Sequence, residues 1–233
     1  LAFGRIAKNR FSIGLIFFAY YLIFKDTRAL LFLALFFLLN SSSFYLTQGN
    51  VIRQGFASSL LLLGICARTP FFTNLFKLMA FFSHKGAVIA FLSPLTKVTN
   101  KYRLLILALA LLLGYFAIFV KVLNLLPLPG FVATKLEFYS SFERASSNSL
   151  IKLVLLLLFN LVFLKFRSRD AVYEKAYSFF FAFSITALLL FRFDGMFSRL
   201  ILYTDVFIPI IAVGCIAQFH VQKNRIWAAT AFI

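Results

Sequence analysis

The stretch Leu104-Leu105-Ile106-Leu107-Ala108-Leu109-Ala110-Leu111-Leu112-Leu113-Gly114-Tyr115-Phe116 contains no charge, and it sits inside an apolar run over residues 103–126. A run of about 20 predominantly apolar residues is what a helix needs to cross the hydrocarbon core of a bilayer, and no core helix of an ordinary soluble domain requires so much. The alternation of period two that a barrel strand would show is absent, so the run reads as a helix. Working outward, similar runs recur near 11–24, 29–46, 53–68, 76–96, 150–166, 177–192 and 197–219, with the start of one more at 226. The breaks between them carry turn or polar signals such as Lys25-Asp26-Thr27-Arg28, Ser41-Ser42-Ser43, Arg68-Thr69-Pro70 and Asp194-Gly195.

Composition agrees with this reading. Of 233 residues, 62% are hydrophobic and 13% charged, whereas a water-soluble domain carries about 25% charged residues, so a soluble globular protein is excluded. The expected fold is all-α, a polytopic transmembrane helical bundle with about eight or nine spans. One of these, near 78–96, is a candidate re-entrant segment that turns at Ser83-His84-Lys85-Gly86. Residues 1–233 form a single integral membrane domain on this reading, and 127–149 is its longest extramembrane loop. The start at Leu1 and the short final run 226–233 lead us to expect a longer parent protein, cut at both ends. Loop Lys and Arg divide almost evenly between the two faces, so the positive-inside rule does not orient the bundle.

The formal net charge is +17, from 24 Lys and Arg against 7 Asp and Glu. These cations stand singly between apolar runs, without the clustered basic face that nucleic acid requires, which leaves anionic lipid or an anionic substrate as the expected partner. Cys66 and Cys215 lie in apolar stretches and read as small buried hydrophobes. No cluster of paired carboxylates, Gly-rich phosphate loop or Cys/His metal spacing is present, and neither a metal site nor a cofactor is expected.

Charged groups inside an apolar helix cost about 2.5–3.5 kcal/mol each on insertion scales, so those that occur there are candidates for function. Arg53 opens a helix as Asn50-Val51-Ile52-Arg53-Gln54-Gly55, with small residues one turn later, and a boundary arginine reaching headgroup phosphate is the plain alternative. His84 and Lys85 lie about seven residues inside the run that follows Lys77, and a buried ammonium there needs an anion or a wet cavity. A packing histidine is the plain reading of His84. Arg192, Asp194, Arg199, Tyr203 and Asp205 form a second polar cluster, in which Arg199 and Tyr203, four apart, share a helix face. A helix-end salt bridge with an interfacial tyrosine explains that cluster equally well. The surplus of cations over acids suits phosphate oxygens, which Arg grips as a fork and Lys as a point charge.

The ordered set of these motifs resembles a known family. Asn50-x-x-Arg53-Gln54-Gly55, followed by Ala80-Phe81-Phe82-Ser83-His84-Lys85-Gly86-Ala87, is similar to the Arg-Gln and Phe-His-x-(Ser/Gly)-Ala signatures of EpsG/Wzy-type polysaccharide polymerases. A Tyr-bearing loop, 137–148, then precedes Leu150-Ile151-Lys152-Leu153, and Phe197-Ser198-Arg199-Leu200-Ile201-Leu202-Tyr203 with Pro209 resembles the family's late Arg-x-x-x-Tyr segment. Ser83 stands where the family usually has Phe, Lys85 is an unusual neighbour of the histidine, and the family's earlier N-terminal motifs have no counterpart.

The resemblance implies an O-antigen, capsule or exopolysaccharide repeat-unit polymerase, a metal-independent multi-pass glycosyltransferase of the bacterial cytoplasmic (inner) membrane. Its substrate would be an oligosaccharide on undecaprenyl pyrophosphate, passed at the outer face to a lipid-linked acceptor, with membrane lipids around it and a chain-length regulator or flippase as protein partner. His84, Arg53 and Arg199 would be catalytic, with Gln54, Lys85, Tyr139, Glu143, Arg192 and Tyr203 binding substrate. A transporter or flippase of an anionic or lipid-linked solute, an O-antigen ligase, and a non-enzymatic assembly subunit are the competing readings.

Overall fold

The computed structural model describes residues 2–41, 52–96, 98–118, 121–122, 147–166 and 170–230. Among these the architecture is all-α, without a strand. In chain order the elements are α1 (Ala2–Phe24), α2 (Arg28–Leu39), α3 (Ile52–Cys66), α4 (Pro70–Ser83), a 3-10 helix (Lys85–Thr96), α5 (Asn100–Tyr115), α6 (Ser147–Lys165), α7 (Ala171–Leu189), α8 (Asp194–Asp205) and α9 (Ile208–Thr230).

The hub of the bundle is α7. Its residues 176–184 are all buried, together with Ala187 and Leu188, and it packs against the 3-10 helix, α3, α5, α6, α8 and α9. A helix apolar all round is one enclosed by neighbours, and the Phe179-Phe180-Phe181 run supplies the side chains for that enclosure. Asp170 starts it, its carboxylate accepting from the backbone N–H groups of Val172 and Tyr173. A second layer is formed by α1, α3 and α4, with Ile16, Ala19, Leu61 and Leu62 inside.

Two of the expected spans are broken. The run 76–96 is divided between α4 and the 3-10 helix, with His84 in extended conformation between them. The two arms fold back on each other, since the Lys77 ammonium, seven residues before His84, donates to the Ser93 hydroxyl, nine residues after it, at 3.0 Å. The chain therefore reverses where the sequence marked a turn, at residues 83–86.

The run 197–219 divides into α8 and α9, which meet at 50°. Pro209 explains the break, because its ring collides with the carbonyl four residues earlier, and that carbonyl belongs to Asp205, the last residue of α8. The Val206 carbonyl left over at the bend accepts from the buried Tyr20 hydroxyl at 2.9 Å.

These breaks correct the expected spans. Among the described residues no single helix is both long and apolar enough to cross a membrane, and only the bent pair Asp194–Asp205 with Ile208–Phe219 passes as a unit. At 1.5 Å per residue, helices of 12 to 16 residues reach about 18–24 Å, short of a hydrocarbon core of about 30 Å. The helix expected to begin at 226 is instead the continuation of α9. Most of the loop expected over 127–149, including Tyr139 and Glu143, lies outside the described residues, and Ser147 already opens α6.

Candidate functional site

The turn between α4 and the 3-10 helix carries His84, and its local shape depends on a residue without a side chain. A Cβ on Gly86 would stand 3.1 Å from the His84 ring and 3.4 Å from the Tyr203 ring, so glycine is what lets the imidazole fold back over its own backbone. The Gly86 N–H then donates to His84 Nδ1 at 3.3 Å. The Tyr203 oxygen lies 2.7 Å from the same nitrogen. Because the amide can only donate, Nδ1 presents its lone pair, the Tyr203 hydroxyl donates to it as well, and the neutral ring carries its proton on Nε2.

Tyr203 comes from α8, 119 residues further along the chain. It is 1% exposed and stacks on Phe183 of α7, with ring centroids 4.6 Å apart and planes at 13°. Its hydroxyl is thus occupied by His84 inside the bundle. Stacking fixes the ring and the hydrogen bond fixes the imidazole, so α7 positions His84 through Tyr203.

The two arginines meet at the same place. Gln54, fully buried in the first turn of α3, donates from Nε2 to the Arg199 carbonyl at 2.5 Å, across 145 residues of sequence. That bond ties the backbone beside Arg53 to the backbone of Arg199. The side chains of Arg53 and Arg199 are exposed. Burial, followed by the positive charges of Arg199 and then Arg53, lowers the His84 pKa below its ordinary value. Protonating the imidazole would place a third positive charge beside two guanidinium groups, so the ring is held neutral. Lys85, exposed and next to His84 in sequence, adds another cation at the turn.

The structure thus brings together Arg53, Gln54, His84, Arg199 and Tyr203 from three separate stretches, with Lys85 at the rim. It does not do so for Arg192, whose guanidinium donates to the Tyr115 carbonyl of α5 at 3.3 Å, at the far end of the α7–α8 turn. Asp194 takes a hydrogen bond from Ser149 of α6, and Lys152 reaches the Ser198 hydroxyl at 3.4 Å, which docks α6 against the helix that carries Arg199. Among the described residues, no three His, Cys, Asp or Glu side chains are grouped as metal ligands.

A family model described as the EpsG family matches residues 10–233, nearly the whole chain. The chain belongs to the EpsG family. No curated protein and no solved structure matches it. EpsG is a membrane-associated, polysaccharide-polymerase type of family, and the resemblance drawn from Arg53-Gln54, His84 and Arg199 agrees with the match.

Two further cations of this EpsG chain, which read in the sequence as charges at the edges of apolar runs, are enclosed in the structure. Lys77 is 4% exposed and Arg103 0% exposed, both against α7. The signal for Lys77 was Thr69-Pro70, an N-cap followed by proline at the first helical position, which starts α4 early enough to place Lys77 in mid-helix. For Arg103 it was Thr99-Asn100, since α5 begins at Asn100 and encloses the arginine in its first turn.

Proposed function

We propose that the chain is a glycosyltransferase of the cytoplasmic membrane that polymerises oligosaccharide repeat units, using a polyprenyl-pyrophosphate-linked glycan as donor and a lipid-linked unit as acceptor, without a metal ion. The observation that supports this most is the convergence of Arg53 and Arg199 on a neutral His84 through the Gln54–Arg199 bond.

The chemistry follows from charge. The acceptor hydroxyl forms a new C–O bond at the anomeric carbon while the bond from that carbon to the pyrophosphate oxygen breaks. The electron pair leaves with the lipid pyrophosphate, and the hydroxyl proton passes to water or to a phosphate oxygen of the released group. Negative charge grows on the leaving oxygens, so fixed positive groups aimed at them lower the barrier. Arg53 and Arg199 supply forked donors for adjacent phosphate oxygens, and Lys85 adds a point charge at the rim. With Nδ1 engaged by Gly86 and Tyr203, His84 acts as an Nε2–H donor to phosphate in preference to a general base. Gln54 and Tyr203 are positioning residues on this reading. Tyr139 and Glu143 are proposed for the acceptor side on the family resemblance alone, and Arg192 is proposed only as a further substrate-binding cation.

Contact with lipid is supported by the side chains left outside the bundle. Phe32, Phe36, Phe71, Phe82, Leu95 and Leu105 are all exposed by more than half, and apolar patches of that kind mark a membrane or protein interface.

The test is incubation of the purified protein with a defined lipid-linked repeat unit and no nucleotide or metal. A ladder of products is expected from the wild type and none from Arg53→Ala. Unreacted substrate that nonetheless crosses the bilayer of a vesicle would replace this reading with transport, and transfer of one finished chain to a different lipid would replace it with ligation.

A further inference from the structure

The returning arm of the His84 hairpin is a 3-10 helix of 12 residues with Pro94 inside it, although such helices rarely persist beyond three or four residues on their own hydrogen bonding. Something outside the arm must hold it. The Lys77 ammonium, enclosed by α4, the arm and α7, bonds to Ser93 and lies 5.1 Å from the Phe179 ring centroid and 5.8 Å from that of Phe91. Three residues on, the Thr96 hydroxyl donates to the Ser93 carbonyl at 2.7 Å and reaches the Ser178 carbonyl of α7 at 3.5 Å. The Thr96 carbonyl in turn accepts from Arg103 Nε at 3.0 Å, and Arg103 lies 4.0 Å from Glu174 and over the Tyr177 ring.

These contacts form a polar column along α7, and they grip the arm at its far end. At the near end, α7 holds the hairpin tip through Phe183, Tyr203 and His84. On α4, Lys77 and Ala80 are three apart and share a face, and the Ala80 carbonyl accepts from the His84 N–H just past the helix end, so Lys77 stands about two turns below the hairpin tip. A buried ammonium is expensive, and an apolar residue of its size would often serve stability equally well. What the ammonium adds is direction, since it bonds the two arms in one register.

The geometry points to Lys77 as a positioning residue for His84, acting through Ser93 and the Thr96 tie to set the register of the hairpin that presents the imidazole to substrate. The inference rests on the proposed polymerase reading for its catalytic meaning but not for its geometry.

The experiment therefore has an arm that needs no substrate. The chain contains two histidines, so the 15N-histidine spectrum of the detergent-solubilised protein carries two imidazoles, and His220→Gln assigns them. In the wild type His84 should show an unprotonated Nδ1 and a protonated Nε2. Lys77→Met keeps the volume and removes the ammonium, and Thr96→Val is a second, nearly isosteric variant that severs the tie to α7. Lys77→Met should keep the wild-type melting temperature and Thr96→Val should lower it by only a few degrees, yet both should broaden or shift the His84 signature. Turnover in the ladder assay should fall about tenfold, with KM for the lipid-linked donor within about twofold of wild type. Lys77→Arg should restore part of both.

An unaltered His84 signature in Lys77→Met and Thr96→Val overturns the inference, as does an altered signature with full turnover. An altered signature in a protein whose wild type makes no ladder keeps the positioning role and removes the polymerase reading.

Discussion

Replacing Tyr203 by Phe removes one oxygen from the centre of the site and leaves nearly everything else in place. The ring keeps its stack on Phe183, and His84 Nδ1 keeps the Gly86 N–H at 3.3 Å but loses the tyrosine hydroxyl at 2.7 Å. A neutral hydrogen bond of that kind is worth about 1 kcal/mol, and it favours the unprotonated ring, because a protonated Nδ1 could keep the tyrosine oxygen as its acceptor only by turning its N–H against the Gly86 amide. Losing it therefore raises the His84 pKa. The wild-type value is lowered, by burial first and then by Arg199 and Arg53, so the variant moves back toward the ordinary value. The sign for stability follows. In the wild type the unfolded chain binds more protons than the folded one below about pH 6.5, so stability falls as pH drops through that window until the folded value is reached. Tyr203→Phe should weaken that acid sensitivity while costing about 1 kcal/mol at neutral pH. The checks are a titration of the His84 15N signal and melting curves at pH 5 and 7. Polymerisation should fall about fivefold, as expected for about 1 kcal/mol of lost orientation. A His84 midpoint that stays in place, or moves down, would refute the hydrogen-bond assignment and the Nε2–H tautomer with it.

Arg53→Lys keeps the charge and discards the fork; because the side chain is exposed, the melting temperature should hold while ladder formation drops about tenfold or more, and an equally active lysine variant would show that Arg53 acts as a plain charge. Gly114→Ala tests the packing of α5 on the hub, since its Cβ would lie 2.0 Å from the Leu188 carbonyl oxygen of α7. Separation of the two backbones should cost about 1–3 kcal/mol, read as a lower melting temperature in detergent, and an unchanged value would mean that the α5–α7 contact is looser than described.

Sequence showed the helices well and their ends poorly, for a physical reason visible in particular residues. Hydropathy reports burial in lipid or protein without distinguishing them, so the run 197–219 looked like an unbroken span, while in 76–96 only Ser83-His84-Lys85-Gly86 hinted at a turn. Pro209 was noted, but only its collision with the Asp205 carbonyl turns it into a break, and that depends on where α8 ends. The pairing of Arg53 and His84 with Arg199 and Tyr203 was legible as an ordered resemblance. The contact that assembles it, Gln54 to the Arg199 carbonyl, joins a side chain to a backbone atom, and no pattern of residue types announces such a bond. Lys77 and Arg103 escaped notice because a lysine or arginine near the edge of an apolar run reads as a loop charge until the cap is placed.

The residues of the candidate site all stand near helix ends or interruptions. Arg53 and Gln54 occupy the first turn of α3, His84 the gap between α4 and the 3-10 helix, and Arg199 and Tyr203 a 12-residue helix that stops at the 50° bend. A continuous helix satisfies its own backbone and can offer a ligand only side chains, whereas an interruption frees amides and carbonyls to orient them. At two of these interruptions a specific partner has taken up the freed group. Gly86 N–H turns to His84, and Tyr20 caps the Val206 carbonyl. The intact hub helix α7 contributes Phe183 and the aromatic packing, but none of the exposed cations. Rigid helices thus supply the frame, while the chemistry collects where the hydrogen-bond ladder has been opened and closed again by side chains from elsewhere in the chain.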